Sequence, residues 1–388
     1  MLLRNLKLVD SQSVVDIDVV DGKINSVGRA LDIGEGGDII SFDNAIGFPG
    51  LVNSHDHLDF NLFPQLGDKL YNNYVEWGNH IHTYNKGTIS KVLAIPNDLR
   101  VKWGLYKNLL NGVTTVVNHG PLLEVDNNLI TVFQQYHLLH SIQLEKYWKY
   151  LLNKPFKKKQ PFVIHIGEGG DISCSNEIDN LQKWNLCKRD IVGVHGIAMK
   201  EHQAASFKAL VWCPDSNFFL IGKTAPIMKL KSRTDILFGT DSTLSARWNL
   251  WDHLRLAKGL NIVTDNELYK MLTVTAAKVW NLPGCGKIES GYSADIVVAK
   301  QKPGLDGFGA FYALNPEDIL LVTHKGNIRL FDAGLLEQVN KNCNLIGNFS
   351  KIVINGAVKY VYGDVPGLMR QIRGHYNAVN FPVAITEN

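Results

Sequence analysis

Hydrophobic and polar residues alternate over Ser13–Gly28, "SVVDIDVVDGKINSVG", and the alternation is interrupted at Asp21-Gly22. Residues i and i+2 of a strand share a face, so this pattern predicts two short strands joined by a tight turn. Strand-like runs return late in the chain, in "GKIESGYSADIVVAK", "NIRLFDAG" and "KIVINGAVKYVYG". Between Gly50 and Pro283 the pattern changes. Short apolar runs alternate there with helical segments, which predicts parallel β/α units. "NDLRVKWGLYKNLLNG" reads as a helix with Val101, Leu105 and Leu109 on one face and Gly112 as its stop. "VTTVVNHG" follows as a strand. Thr264-Asp265-Asn266-Glu267 forms a capping box opening one helix, "ELYKMLTVTAAKVWNL", that Pro283-Gly284 ends. The predicted fold is α/β: a (β/α)8 TIM-type barrel over 50–284 with a small discontinuous β-sandwich domain, a composite of 1–49 and 285–365. Residues 366–388 are expected to be a C-terminal extension.

The apolar runs within the barrel segment end in residues that bind metals. "GLVNSHDH", "FVIHIGE", "IVGVH" and "ILFGTD" finish at His55 with His57, His165, His195 and Asp241. A barrel builds its active site from side chains at the C-terminal tips of its strands. His55 and His57 are two apart, so both imidazoles reach one side while Asp56 points away. Glu168, three residues past His165, is placed to carry protons beside a metal. Asp241 is a candidate for metal ligation or general base, or for capping a following helix. His119 also ends a strand and is weighed equally as a substrate contact and a structural histidine. His80-Ile81-His82 repeats the HxH form but reads as ordinary helix or loop histidines, and His137 and His140 read as packing residues. The segment from Leu58 to Ile95 is rich in aromatics, among them Phe60, Tyr74 and Trp77, and is expected to line the substrate pocket. A metal-activated water with a nearby carboxylate suits hydrolysis.

Composition adds limits. The 388 residues are 45% hydrophobic and 20% charged with a net charge of +3, so a large core is affordable and neither nucleic acid nor a membrane is the expected partner. A small-molecule substrate and a homodimer are expected instead. The run Lys157-Lys158-Lys159 reads as a solvated loop. Five cysteines without a CxxC, the last being Cys343, fit a reducing, cytoplasmic home. The N-terminus does not read as a signal peptide, and no apolar stretch is long enough to span a bilayer.

Several longer motifs carry a family resemblance. "FPGLVNSHDH" matches a first-strand PGLVNxHxH, "HIGE" a fifth-strand HxxE, and "VHG" stands where a sixth-strand His belongs. "WCPDSNFFL", "FGTDSTLSARWNLWDHLRLAK" and the tail "TAAKVWNL...GKIESGYSADIVV" add three more. Together they resemble the amidohydrolase superfamily, in its cytosine-deaminase-like and chlorohydrolase-like branch. The resemblance implies a mononuclear site with His55, His57, His165 and Asp241 as ligands of one divalent metal, usually zinc, with iron as the alternative. It implies that His195 contacts the attacking water or the substrate, and that Glu168 and Asp241 move protons. The implied reaction is hydrolytic deamination of a heterocycle. Cyclic amide or ring hydrolysis is the alternative within enzymes, and a non-catalytic barrel scaffold is the alternative outside them. No lysine stands out as a bridging carbamate. Two departures matter. Only about 45 residues separate His119 from His165, so the barrel is expected to be distorted or short of one unit, without a fourth-strand substrate contact. Arg247 stands where an Asn is common, either as a surface residue or as a contact to a substrate anion.

Overall fold

The computed structural model describes residues 1–32, 38–155, 160–342 and 346–385. The lysine run at 157–159 and Cys343 lie outside these residues. The chain opens with four strands, β1 (Leu2–Leu8), β2 (Val14–Val20), β3 (Lys23–Gly28) and β4 (Ile39–Pro49). Asp21 and Gly22 both take positive φ, 48° and 77°, as the two-residue turn between β2 and β3 requires. Eight strands follow: β5 (Leu51–Asp56), β6 (Val113–Asn118), β7 (Thr131–Phe133), β8 (His137–Ser141), β9 (Phe162–Ile166), β10 (Ile191–His195), β11 (Ala209–Trp212) and β12 (Asp235–Phe238). The last six are β13 (Ile296–Lys300), β14 (Ile319–His324), β15 (Asn327–Asp332), β16 (Phe349–Ile354), β17 (Ala357–Tyr362) and β18 (Ala384–Ile385).

Strands β5–β12 form the barrel. β5-β6-β7 and β8 to β12 are two runs of parallel neighbours. Past the end of β12, the amides of Thr240 and Asp241 both donate to the His55 carbonyl, at 3.1 and 3.0 Å, which ties the last strand to the first. β9, β10 and β11 are buried along their whole length, the mark of parallel strands covered on both faces. All eight strand positions are therefore present. What is missing are the helices of the second and third units, since none lies between β6 and β7 either. Only three residues lie between β7 and β8, and the fourth helix, α4 (Trp148–Asn153), comes after β8.

The helices before it are α1 (Tyr74–Tyr84), α2 (Lys86–Leu93) and α3 (Asn97–Leu110). After it come α5 (Ile172–Trp184), α6 (Glu201–Ala204), α7 (Pro214–Ile221), α8 (Ile227–Leu230), α9 (Leu250–Gly259), α10 (Asp265–Met271) and α11 (Val274–Trp280). The capping box is present, Thr264 and Glu267 each accepting from the other's backbone at 2.7 and 3.2 Å. The single helix expected from it is two helices. Thr273 leaves the helical region, and the Leu272 carbonyl accepts from Val52 on β5 instead of continuing the helix. A tertiary hydrogen bond thus overrides a good local helix pattern.

The first four and last six strands share one continuous sheet, joined where β4 pairs antiparallel with β13. α12 (Gly307–Tyr312) and α13 (Leu336–Asn342) interrupt its second half. The stretch from 366 does not trail away as an extension. α14 (Val365–His375) buries Leu368, Met369 and Ile372, and β18 adds a short edge to β16. Its amphipathic pattern needed a partner surface that the sequence does not name. Among the described residues no helix is long and apolar enough to cross a membrane.

Candidate active site

The tips of β5, β9, β10 and β12 bring His55, His57, His165, His195 and Asp241 together. Nε2 of His165 lies 3.2 Å from Nε2 of His55 and 3.4 Å from Nε2 of His57. Asp241 Oδ1 stands 3.9 Å from His55 Nε2 and 3.8 Å from His57 Nε2. Nitrogen ligands at about 2.1 Å on a tetrahedral zinc are about 3.4 Å from one another. The donor set and its spacing therefore fit one small divalent cation, and His55 with His165 and His195 forms a second overlapping cluster of ligand range.

The proton positions agree with that fit. His165 Nδ1 faces the His140 carbonyl at 3.1 Å. A carbonyl only accepts, so Nδ1 carries the hydrogen and the Nε2 lone pair points to the centre. His195 is set the same way by Asn217 Oδ1, 2.8 Å from its Nδ1. Burial, and then the neighbouring imidazoles, hold His55 and His165 well below the usual histidine range, so both are neutral at pH 7. For Asp241 burial alone would raise the carboxyl. His57, His195, the Ser242 amide and the Ser216 hydroxyl outweigh it and keep the group ionised.

Two of these residues have strained backbones. His195 and Asp241 have φ of 73° and 59°, left-handed values uncommon for side chains of their size. Asp241 is held there from both ends: its amide donates to His55, and its carbonyl accepts from Lys107 Nζ at 3.0 Å. Lys107 comes from α3. That helix lies close because it has Gly104, where a Cβ would stand 2.2 Å from the Leu58 carbonyl oxygen. The same ammonium reaches Asp56 at 3.0 Å and Thr240 at 3.1 Å. Asp56 does turn away from the histidines, into this polar plug, where Asn108 and Asn61 also donate to it. With all three protons engaged, Lys107 has none free for a carbamate.

Glu168 lies past β9 with its Oε1 3.6 Å from His195 Nε2. Burial first, then Asp241 and Glu177, push its carboxyl well above the carboxylate range. Glu177, on α5, accepts from the Gly167 amide at 2.6 Å and so supports the loop that carries Glu168.

The cavity over these groups is lined by Phe60, Tyr74, Trp77, His140, Leu220 and Leu244 besides the histidines and carboxylates. Trp77 thus reaches the site, but its indole N–H is already donated to the Leu66 carbonyl at 2.7 Å, which leaves only its ring face. His119 is brought against His165, ring centres 4.2 Å apart, yet it is buried beneath the cavity rather than lining it. Arg247 is not brought in. Its guanidinium is held by Asp215 at 2.5 and 2.9 Å, and it faces a separate cavity with Trp248 and Tyr376. His80 pairs with Asp68 on the outside of α1. His140, which the sequence reads as a packing residue, stands next to last in β8 and lines the cavity, so the fourth strand brings a side chain to the site. Its signal was the same as for the others, a histidine closing a short apolar run, but the run "HLL" is too brief to stand out.

The amidohydrolase family model matches residues 162–331. Over that stretch the chain is similar to the amidohydrolase family. It is 24% identical over 394 residues to 5-methylthioadenosine/S-adenosylhomocysteine deaminase of Caldicellulosiruptor saccharolyticus, covering 83% of this chain and 90% of that one. Among solved structures, a triazine hydrolase variant superposes with a TM-score of 0.70 at 19% identity, covering 88% of this chain and 98% of the other. An adenosine deaminase from Xanthomonas campestris with bound zinc does so with a TM-score of 0.69 at 16% identity, covering 97% and 98%. Both likenesses extend the same barrel-and-sheet fold over nearly the whole chain.

Proposed function

We propose that this chain is a metal-dependent hydrolase that deaminates a small heterocycle. The observation that carries the reading is one rim that gathers the imidazoles of His55, His57 and His165, the ionised carboxyl of Asp241 and the buried carboxyl of Glu168. His55, His57, His165 and Asp241 would hold one divalent ion. Zinc suits three nitrogens, one oxygen and no thiolate better than other common metals. Such an ion lowers the pKa of a bound water toward 7. His195 presents a lone pair and orients the attacking water by accepting its proton in a hydrogen bond. Glu168 relays one proton of the attacking water to a ring nitrogen and the second to the departing amine, and so ends as it began. The relatives named as deaminases support deamination over ring opening. The free thiols Cys174, Cys187, Cys213 and Cys285 support a reducing, cytoplasmic location.

Glu168→Gln tests the reading. It should keep the metal and lower kcat by roughly a hundredfold or more, the usual cost of losing a general acid/base. Unchanged turnover rules that role out. Metal content that survives replacing both His55 and His57 with Ala would overturn the ligand set.

A further inference from the structure

The net charge of +3, which pointed away from a membrane, hides an uneven distribution. Residues 143–155 and 183–190 carry six basic side chains, Lys146, Lys149, Lys154, Lys183, Lys188 and Arg189, against Glu145 and Asp190. Six basic residues against two acidic ones leave a net +4, more than the +3 of the whole chain. The two stretches form one surface. Lys149 Nζ lies over the Trp184 ring, 4.0 Å from its centre. Asn153 Nδ2 donates to the Trp184 carbonyl at 2.7 Å, and Arg189 Nη2 to the Lys154 carbonyl at 2.9 Å. The five lysines are exposed, and none of them is paired with a carboxylate among the described residues.

The surface continues into a groove where Lys188, Arg189 and Lys208 stand with Asp190 as the one acidic residue of the lining. Lys208 Nζ is 3.9 Å from Asp190, too far for a hydrogen bond, and Arg189 Nε is buried with no partner among the described residues. Apolar groups are interleaved with the cations along the same two stretches. Leu186, Tyr147 and Tyr150 are 68%, 63% and 62% exposed. The tyrosines are three apart at the start of α4 and share a face. One exposed apolar residue is ordinary on a protein surface. Three among unpaired lysines are a pattern. Lys188, Arg189 and Lys208 come just before β10 and β11, at the opposite end of the strands from the tips that carry His165 and His195. A partner bound there leaves the catalytic cavity uncovered.

We propose that this face docks on an anionic phospholipid membrane, with the lysines and Arg189 against headgroup phosphates and with Leu186, Tyr147 and Tyr150 in the interface. The charge calls for an anionic partner. Leu186 decides which one. Its side chain has nothing to offer a phosphate or a base edge, but it leaves water when it meets acyl chains. Tyrosine has its preferred place at the level of the headgroups. The cations supply an attraction that salt screens, and the apolar side chains add a part that salt does not weaken.

The test sediments the full chain with vesicles of phosphatidylcholine, with and without about one third phosphatidylserine. The anionic vesicles should bind at least about tenfold more tightly, and should lose about tenfold or more in affinity between about 0.05 and 0.5 M salt. Lys154→Glu with Lys188→Glu should abolish the difference between the two vesicles at an unchanged melting temperature. Leu186→Ser should lower the binding that remains at high salt. Equal binding to both vesicles, or none to either, overturns the proposal. Should the charge variant fail to fold, the headgroup and salt dependence of the unaltered chain still decides. A poly(U) strand bound more tightly than the anionic vesicles gives the surface to nucleic acid and overturns the proposal. So does a dimer that Leu186→Ser dissociates, with no binding to vesicles. Undiminished binding of Leu186→Ser at high salt overturns the insertion of the apolar side chains.

Discussion

On the β5–β12 side of the barrel rim Lys107 commits its ammonium to Asp56, Thr240 and Asp241, whereas past the end of β6, where the chain runs on to β7 and β8, His119 is buried with both ring nitrogens unpartnered. The first side is a buried ionic plug, closed by hydrogen bonds from β12 to β5. The second has strands of three and five residues and no helix between them. The difference separates two jobs. The dense side holds His55 and His57 on β5 and Asp241 in its left-handed backbone. The thin side brings His140 to the cavity wall with few hydrogen bonds behind it. Rigidity is concentrated where charge has to be placed.

Lys107→Met should expose the contrast most strongly. It leaves the Asp56 carboxylate buried without its cation, at a cost of roughly 3–5 kcal/mol in unfolding free energy. Adding Asp56→Asn should recover part of that loss. A loss under about 1 kcal/mol in denaturant unfolding would mean that the plug does not anchor the rim.

Next in size is Glu177, under the Glu168 loop. Its carboxyl is pushed from 4.5 up to about 7, chiefly by burial. Between these values the folded chain holds a proton that the unfolded chain has released. Stability should therefore fall as pH rises from 4.5 to about 7 and level off above, by roughly 3 kcal/mol at most. Glu177→Gln keeps an acceptor for the Gly167 amide and removes the titration. It should flatten this slope and be the more stable protein above pH 7. An unaltered pH profile of the melting temperature would refute the assignment.

His119→Leu should change stability by no more than about 1 kcal/mol, in either direction, because an unsatisfied polar group is removed with little change of volume. A loss above about 2 kcal/mol would mean that His119 has a bonding role on the thin side after all. Arg247→Ala should do least. The guanidinium is half exposed, its pair with Asp215 is worth about 1 kcal/mol or less, and it faces away from the catalytic cavity. A tenfold rise in KM would return Arg247 to the substrate site.

Particular residues mark the reach of sequence reading. The α3 helix, the Thr264 capping box and the turn at Asp21-Gly22 were legible because each is written within a few neighbouring positions. His55, His165, His195 and Asp241 were legible because a histidine or aspartate closing an apolar run is rare and recurred four times. His140 was not, since β8 has too few apolar residues to announce a strand. The break at Thr273 was not, since it depends on a hydrogen bond from Val52. Asp16 and Asp18 alternate like solvent-facing residues of β2, yet both are buried, accepting from Asn5 and Leu31 and from Asn25.

By itself the sequence determined the strand-and-helix order, the barrel and the titratable groups at its strand ends, because period and punctuation are local properties of a chain. Only the tertiary structure decided which nitrogen of His165 and of His195 faces inward, that burial raises the Glu168 carboxyl and that Arg247 is turned away. Each of these depends on distances and desolvation between residues remote in sequence, such as Lys107 and Asp241 or His165 and His140, and no periodicity along the chain encodes them.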